Sequence, residues 1–220
     1  IGDVHGEADL LAHLIHCLPL APSDGLIFLG DLVDRGPATP RVLDMVLQLA
    51  QERKVVVLRG NHEQMMLAAR RDRSLLPAWL AAGGEATLDA YAADTFDAIP
   101  AAHWQLLEQP RLFFETGTEI YVHANLDAAA PLEAQVEQDL LWTFYERPIH
   151  HDSGKFTVCG HTPQPDGYPR LDPQSICIDT LNPPHSTWLS AVHVARQQLV
   201  QVNAAGASRR DVFAALENRL

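Results

Sequence analysis

Cysteine is scarce in this chain: three in 220 residues, Cys17, Cys159 and Cys177, with no CxxC pair. So sparse and odd a set argues against a disulfide framework and fits reduced thiols in a reducing compartment. Cys159 and Cys177 lie in apolar, strand-like runs and read as buried structural thiols. Positive charge is also short, 16 Lys and Arg against 28 Asp and Glu, for a formal net charge of −12. A diffuse acidic surface repels nucleic acid and does not steer a polyanion inward. No apolar run approaches the roughly 20 residues that cross a bilayer, so neither nucleic acid nor membrane is an expected partner. There is no internal repeat, low-complexity tract or long linker. The expectation is a soluble, cytoplasmic protein forming one domain over 1–220, since 47% hydrophobic residues suffice for a full core. Ile1 stands directly inside a motif, whereas a strand normally has several residues, so the first strand is expected to lack a few upstream residues.

What is present alternates. Residues 7–18 carry apolar positions at helical spacing, 26–30 (LIFLG) form a short apolar run ending in glycine, and 40–53 are amphipathic with proline at the start. The β-branched run 54–60 (KVVVLRG) again ends in glycine, and 62–82 read as helix. This order predicts parallel βαβ units with helices over the sheet. Further on, 83–91 read as a turn and short helix, 100–110 as a proline-bounded helix, and 111–116 with 119–125 as a hairpin. Strands are expected at 155–161, 175–180, 186–195 and 197–203, and a serine-capped helix at 208–220.

In parallel sheets, ligand sites lie beyond the carboxyl ends of the strands. The polar residues of this chain gather there: Asp3 and His5, Asp31 and Asp34, Asn61 and His62, His123, and His161. Carboxylate, imidazole and amide donors suit Mn, Fe or Zn, and the lack of any thiolate among them weighs against structural zinc. Such a set can hold two divalent ions roughly 3.5–4 Å apart, bridged by an aspartate and a water.

The fragments GDVHG, GDLVDRG, RGNHE, VHAN and GHT, in this order from residue 2 to 162, resemble the calcineurin-like metallophosphoesterases. They look most like the phosphoprotein phosphatase branch with its small phage and bacterial Ser/Thr phosphatases, and DLLW at 139–142 resembles a further segment of that branch. The resemblance implies an α/β fold, a metallophosphoesterase sandwich of two mixed β-sheets flanked by helices. It implies a phosphomonoester hydrolase acting on a phosphorylated protein or small phosphoester through a hydroxide activated by two metals. Related dinucleoside polyphosphate hydrolases carry similar motifs and are the alternative. A metal-free binding protein on the same fold is a third reading, and it needs a lost ligand, of which there is none.

By the same resemblance, Asp3 and His5 bind one metal, Asp31 bridges both, and Asn61, His123 and His161 complete the second. The ions implied are two divalent cations, manganese first, with iron or zinc as alternatives. His62 is the general acid, oriented by Asp34, and Arg35 holds phosphate oxygens, with Asn61 beside it. The chemistry agrees: phosphoryl transfer needs neutralised equatorial charge and a proton for the leaving oxygen, which an imidazole supplies near neutral pH.

Three positions depart from the family pattern. Asn125 stands where glycine is common, and asparagine is the best substitute for a left-handed turn. Leu181 replaces the glycine of DTG and is expected to reshape the rim. Some bacterial relatives place a second phosphate-gripping arginine two residues after the tryptophan of LLW. Phe144 occupies that place here, and Arg147, three residues on, is the candidate substitute, with a solvated loop arginine as the alternative. Glu63 reads as a helix-start acid, His150–His151 as an exposed loop pair, His13 and His16 as helix-borne, and His103 and His193 as outside any motif. Trp79, Trp104 and Trp188 read as packing.

Overall fold

The structure is a computed structural model that describes residues 1–108 and 111–213. Helix α1 (Ala8–Cys17) buries Leu10, Leu11 and Leu14 on one face and stops before Pro19. Strand β1 (Leu26–Phe28) is followed by α2 (Thr39–Glu52), with Pro40 in its first turn, and by β2 (Val55–Val57), parallel to β1. Helix α3 (Asn61–Arg71) begins at Gly60 and places Arg70 and Arg71 in its last turn, where they complement the helix dipole.

The helix expected over 62–82 is not continuous. It breaks at Asp72, whose carboxylate accepts the Ser74 N–H at 2.9 Å. It resumes as a short turn and α4 (Leu76–Trp79), then turns again at Gly83 with φ +118° before α5 (Glu85–Ala90). Aspartate competes for backbone donors and caps, so a periodic apolar pattern can persist across a break. Helix α6 spans Ala101–Leu107, and the end of its expected range, 109–110, falls outside the described residues.

The second half supplies most strands: β3 (Phe113–Glu115) and β4 (Glu119–Val122) as the expected hairpin, then α7 (Glu137–Trp142) and β5 (Phe156–Cys159). After these come β6 (Arg170–Asp172), β7 (Ser175–Cys177), β8 (Leu181–Asn182), β9 (Ser186–His193), β10 (Gln198–Asn203) and β11 (Ser208–Val212). The helix expected from Ser208 is instead strand β11 over 208–212, paired antiparallel with β10 from Ser208↔Val202 to Val212↔Gln198. The turn decides this: Asn203 Oδ1 accepts the N–H groups of Ala205 and Ala207, and Gly206 takes φ +81°, which returns the chain along β10. The rest of that expected helix, 214–220, lies outside the described residues.

One sheet is mixed and five-stranded, β3-β4-β5-β7-β6, with β4, β5 and β7 parallel. The other side comprises the β1–β2 pair and an antiparallel β11-β10-β9-β8 set. Residues 1–2 join them, since Ile1 bonds to Ile27 and Leu29 and the Gly2 N–H bonds to Ser190 O. Leu29, Leu58, Val158, Ile176 and Leu199 form the layer between the sheets, while separate clusters pack α1–α3 and α6 on one outer face and the 126–149 segment on the other. This is an α/β sandwich of two sheets flanked by helices, as expected. Residue 2 and strands β1, β2, β4, β5 and β7 all end toward one rim.

Candidate metal centre and acid pair

Three of the six sequence-predicted ligands, His5, Asp31 and His161, sit in contorted turns. Among the described residues, the non-glycine residues with left-handed φ include His5 (+45°), Asp31 (+50°), Asp34 (+69°), Arg35 (+66°) and His161 (+61°). Strained backbone of this kind persists only where surrounding structure fixes it, and it clusters at functional sites. The neighbouring glycines admit close approach: a Cβ on Gly60 would meet Asp31 Oδ1 at 2.0 Å, and one on Gly160 would meet Asp3 Oδ1 at 2.2 Å.

Three imidazoles share one arrangement. His5 Nδ1 donates to Val33 O at 3.0 Å, His123 Nδ1 to Leu29 O at 2.9 Å, and His161 Nε2 to Trp142 O at 3.3 Å. A carbonyl only accepts, so each ring spends its N–H there and turns its other nitrogen's lone pair inward. His5 Nε2 then faces Asp31 Oδ2 at 3.6 Å, and His123 Nε2 faces Asn61 Oδ1 at 3.0 Å and Asp31 Oδ1 at 3.5 Å. His161 Nδ1 lies 3.2 Å from the same Asn61 oxygen. Acceptors facing acceptors at these distances are reconciled by a cation between them. Protonation is opposed: burial pushes His5 down to about 3, burial and then His123 push His161 down to about 4, and burial lowers His123. Asp31 is the common member, and donor atoms converge in two groups, His5–Asp31–His62 and Asp31–His123–His161. Burial pushes the Asp31 carboxyl up, and His123, His62 and His5 together outweigh it and hold it below the usual range. The donor set therefore fits two divalent cations sharing Asp31; Asp3 stands outside both groups, lines the same cavity and accepts the His161 N–H at 3.2 Å.

Beside this cluster stands a finished hydrogen-bond network. His62 Nδ1 bonds Asp34 Oδ2 at 2.8 Å, and its Nε2 lies 2.9 Å from Arg35 Nη2. Asp34 is fully buried; its Oδ2 also accepts Trp79 Nε1–H and its Oδ1 accepts the Thr87 hydroxyl, each at 2.9 Å. Burial opposes charge on His62, but Asp31 and Asp34 outweigh it and raise its pKa above the usual imidazole value.

The structure brings Asp3, His5, Asp31, Asn61, Arg35 and His161 to the lining of one cavity of 290 Å³, with His62 and His123 packed against these ligands. Arg147 is exposed and does not line that cavity; Phe144 does, 55% exposed, stacked on His161 with ring centroids 5.1 Å apart. Asn125 does not adopt the left-handed turn; its amide donates to Phe144 O at 2.9 Å and its oxygen accepts the Leu126 N–H, so side-chain bonds hold the turn. Leu181 is buried in the main core and does not line the cavity. His150 is exposed, as expected, but His151 is buried and bonded to Ala130 O and Ser153.

Sequence reasoning missed four contributors. Glu63 does start α3, and its carboxylate also accepts the N–H groups of Gly60, Asp31 and Leu32, each at 2.8 Å, which pins the ligand loops together. Trp79, read from sequence as packing, and Thr87, which carried no sequence signal, clamp Asp34. Asp179, buried at the end of an apolar run, lines the same cavity; the strand-end signal that marked the candidate ligands marks it too.

Fold and side chains together define a class: an α/β sandwich with two converging His/Asp donor groups able to hold metal, next to a buried His–Asp pair. The chain belongs to the calcineurin-like phosphoesterase family, whose model matches residues 1–191. It is 39% identical over 102 residues to serine/threonine-protein phosphatase 2 of Escherichia coli K12, a stretch covering 45% of this chain and 44% of that protein. It is 45% identical over 69 residues to the symmetrical bis(5'-nucleosyl)-tetraphosphatase of Citrobacter koseri, covering 31% of this chain and 24% of that one. The matched stretches span less than half the length of these curated relatives. A solved cold-active protein-tyrosine phosphatase of a psychrophilic Shewanella shares the fold at TM-score 0.65 and 18% identity, covering 96% of this chain and 78% of that one. No helix among the described residues is long and apolar enough to cross a membrane.

Proposed function

We propose that this chain acts as one metallophosphoesterase domain, a metal-dependent phosphomonoester hydrolase whose substrates are phosphoserine and phosphothreonine in proteins. The observation that carries the reading is the trio His5, His123 and His161, each turning a lone pair onto Asp31 or Asn61 oxygens. Asp3, His5 and Asp31 hold the first cation, and Asp31, Asn61, His123 and His161 hold the second. When bound, the two cations supply an activated water and neutralise phosphoryl charge. Nitrogen and oxygen donors without thiolate favour manganese, with iron or zinc as competitors.

The chain's own groups do the rest. Arg35, exposed at the rim, turns from His62 to grip phosphate oxygens in a fork that lysine cannot form. That releases His62 Nε2 to carry the proton for the leaving oxygen, while Asp34 holds Nδ1–H and fixes the tautomer. Asn61, which lines the cavity, offers its amide nitrogen to the phosphate, and Arg147 adds a second grip only if its loop folds over the site. The three free cysteines favour a reducing, cytoplasmic setting, and the net charge of −12 disfavours nucleic acid.

One observation favours a second reading, dinucleoside polyphosphate hydrolysis. The open face of Phe144 on the cavity wall offers a platform for a base. Against it, Arg35 is the one arginine or lysine lining the cavity among the described residues, which is little for a polyphosphate. A panel decides: metal-free protein reconstituted with Mn, Fe or Zn and assayed on phosphoserine and phosphothreonine peptides, nitrophenyl phosphate and diadenosine tetraphosphate. Turnover of the tetraphosphate far above that of every phosphopeptide sinks the protein-phosphatase reading.

A further inference from the structure

Asp179 is the unexplained group of the site. It follows β7 by two residues, is 3% exposed and lines the cavity with Asp3, His5 and Asp31. Its main-chain oxygen accepts the Gln164 N–H at 2.8 Å, so the backbone is anchored. Its carboxylate takes one backbone contact, from the Leu181 N–H, but Oδ1 is buried without a hydrogen-bond partner. Leaving a buried carboxylate oxygen unsatisfied is costly unless a positive group completes it. Arg35 does not bond it, and its guanidinium is engaged with His62.

The surroundings say what completes it. Asp3, Asp31 and Asp179 bring three carboxylates to one end of the cavity, and the histidines beside them are turned as neutral donors. Two divalent cations carry +4. Asp3 and Asp31 offset 2 of these charges, and Asp179 offsets a third; its charge acts on Asp3, which ties it to the first cation. The geometry points to Asp179 as a further anionic member of the first cation position, acting with Asp3, His5 and Asp31. Its free oxygen would complete the shell of that cation when bound. This rests on the two-cation reading above but not on any substrate.

The test is cation binding by metal-free protein, so it stands or falls apart from phosphatase activity. Calorimetric titration with Mn2+ is expected to show Asp179→Asn weakening one of two positions by about 10- to 100-fold, the usual effect of losing a group that supports a ligand shell. The loss persists in an Asn61→Ala background, which impairs the second position. Without metal, Asp179→Asn melts at or above wild type, because an unsatisfied buried charge is gone; with Mn2+ it gains less than wild type does. Unchanged Mn2+ affinity at both positions overturns the proposal. So does a variant that fails to fold or melts below wild type when metal-free, since either makes Asp179 a structural residue.

Discussion

Asp34 and Asp179 are both buried carboxylates at one rim, and they are treated in opposite ways. Asp34 has both oxygens occupied, by His62, Trp79 and Thr87. Asp179 has an oxygen that nothing meets. The same contrast divides the whole site. The acid half, His62 with its clamp from α4 and α5, is complete in protein atoms alone. The proposed cation half holds acceptors aimed at each other: His5 at Asp31, and His123 and His161 at Asn61. A folded chain can hold the first arrangement unaided, whereas the second is stable only at the expense of buried repulsion that a bound cation removes. Family membership explains why both occur together; the geometry explains why one half needs a partner.

The largest expected effect removes the member shared by both cations. Asp31→Asn should lower kcat by about 1000-fold or more, as several kcal/mol of charge stabilisation are lost. It should also empty both positions in an anomalous-scattering map; metals present with none touching residue 31 would sink the assignment. Next comes the acid half. His62→Asn should cost about 10²- to 10⁴-fold on a phosphoserine peptide but under about tenfold on nitrophenyl phosphate, whose leaving group needs no proton. Equal losses on the two substrates would remove His62 from the acid role.

A smaller effect tests the clamp. Thr87→Val or Trp79→Phe strips one donor from a buried carboxylate, a loss of about 1–3 kcal/mol. It should appear as a roughly tenfold fall in kcat on poor leaving groups, with Mn2+ affinity unchanged. A fall in metal affinity instead would mean the two halves are not separable. The smallest concerns Arg147. Because that side chain is exposed outside the cavity, Arg147→Ala should change kcat/KM on a phosphopeptide by less than about twofold, near 0.4 kcal/mol. A tenfold loss would show that it does reach the phosphate.

Much of the fold was legible because it rests on local signals. Apolar periodicity located α1 and α2, and β-branched runs ending in glycine located β1 and β2. The failures fall where a neighbouring strand or one side-chain bond outvotes periodicity. Residues 208–212 have the pattern of a helix start, but β10 offers an unpaired edge and Asn203 builds the turn that delivers them to it. Residues 62–82 keep a helical rhythm through a break that Asp72 imposes.

At the site, order and residue type were written along the chain: which strand ends carry acid, amide or imidazole, and that they share a rim. Those follow from alternation of strand and helix, which forces successive strand ends to one side. Partnership was not written there. Trp79 and Asp34 are 45 positions apart, His123 and Asn61 62 apart, and Asp179 meets Asp3 across two sheets. Whether a buried carboxylate ends up saturated, like Asp34, or waiting, like Asp179, depends on which donors packing brings within about 3 Å, and hydrogen bonds fade beyond that distance. Only the folded arrangement of both sheets sets those distances.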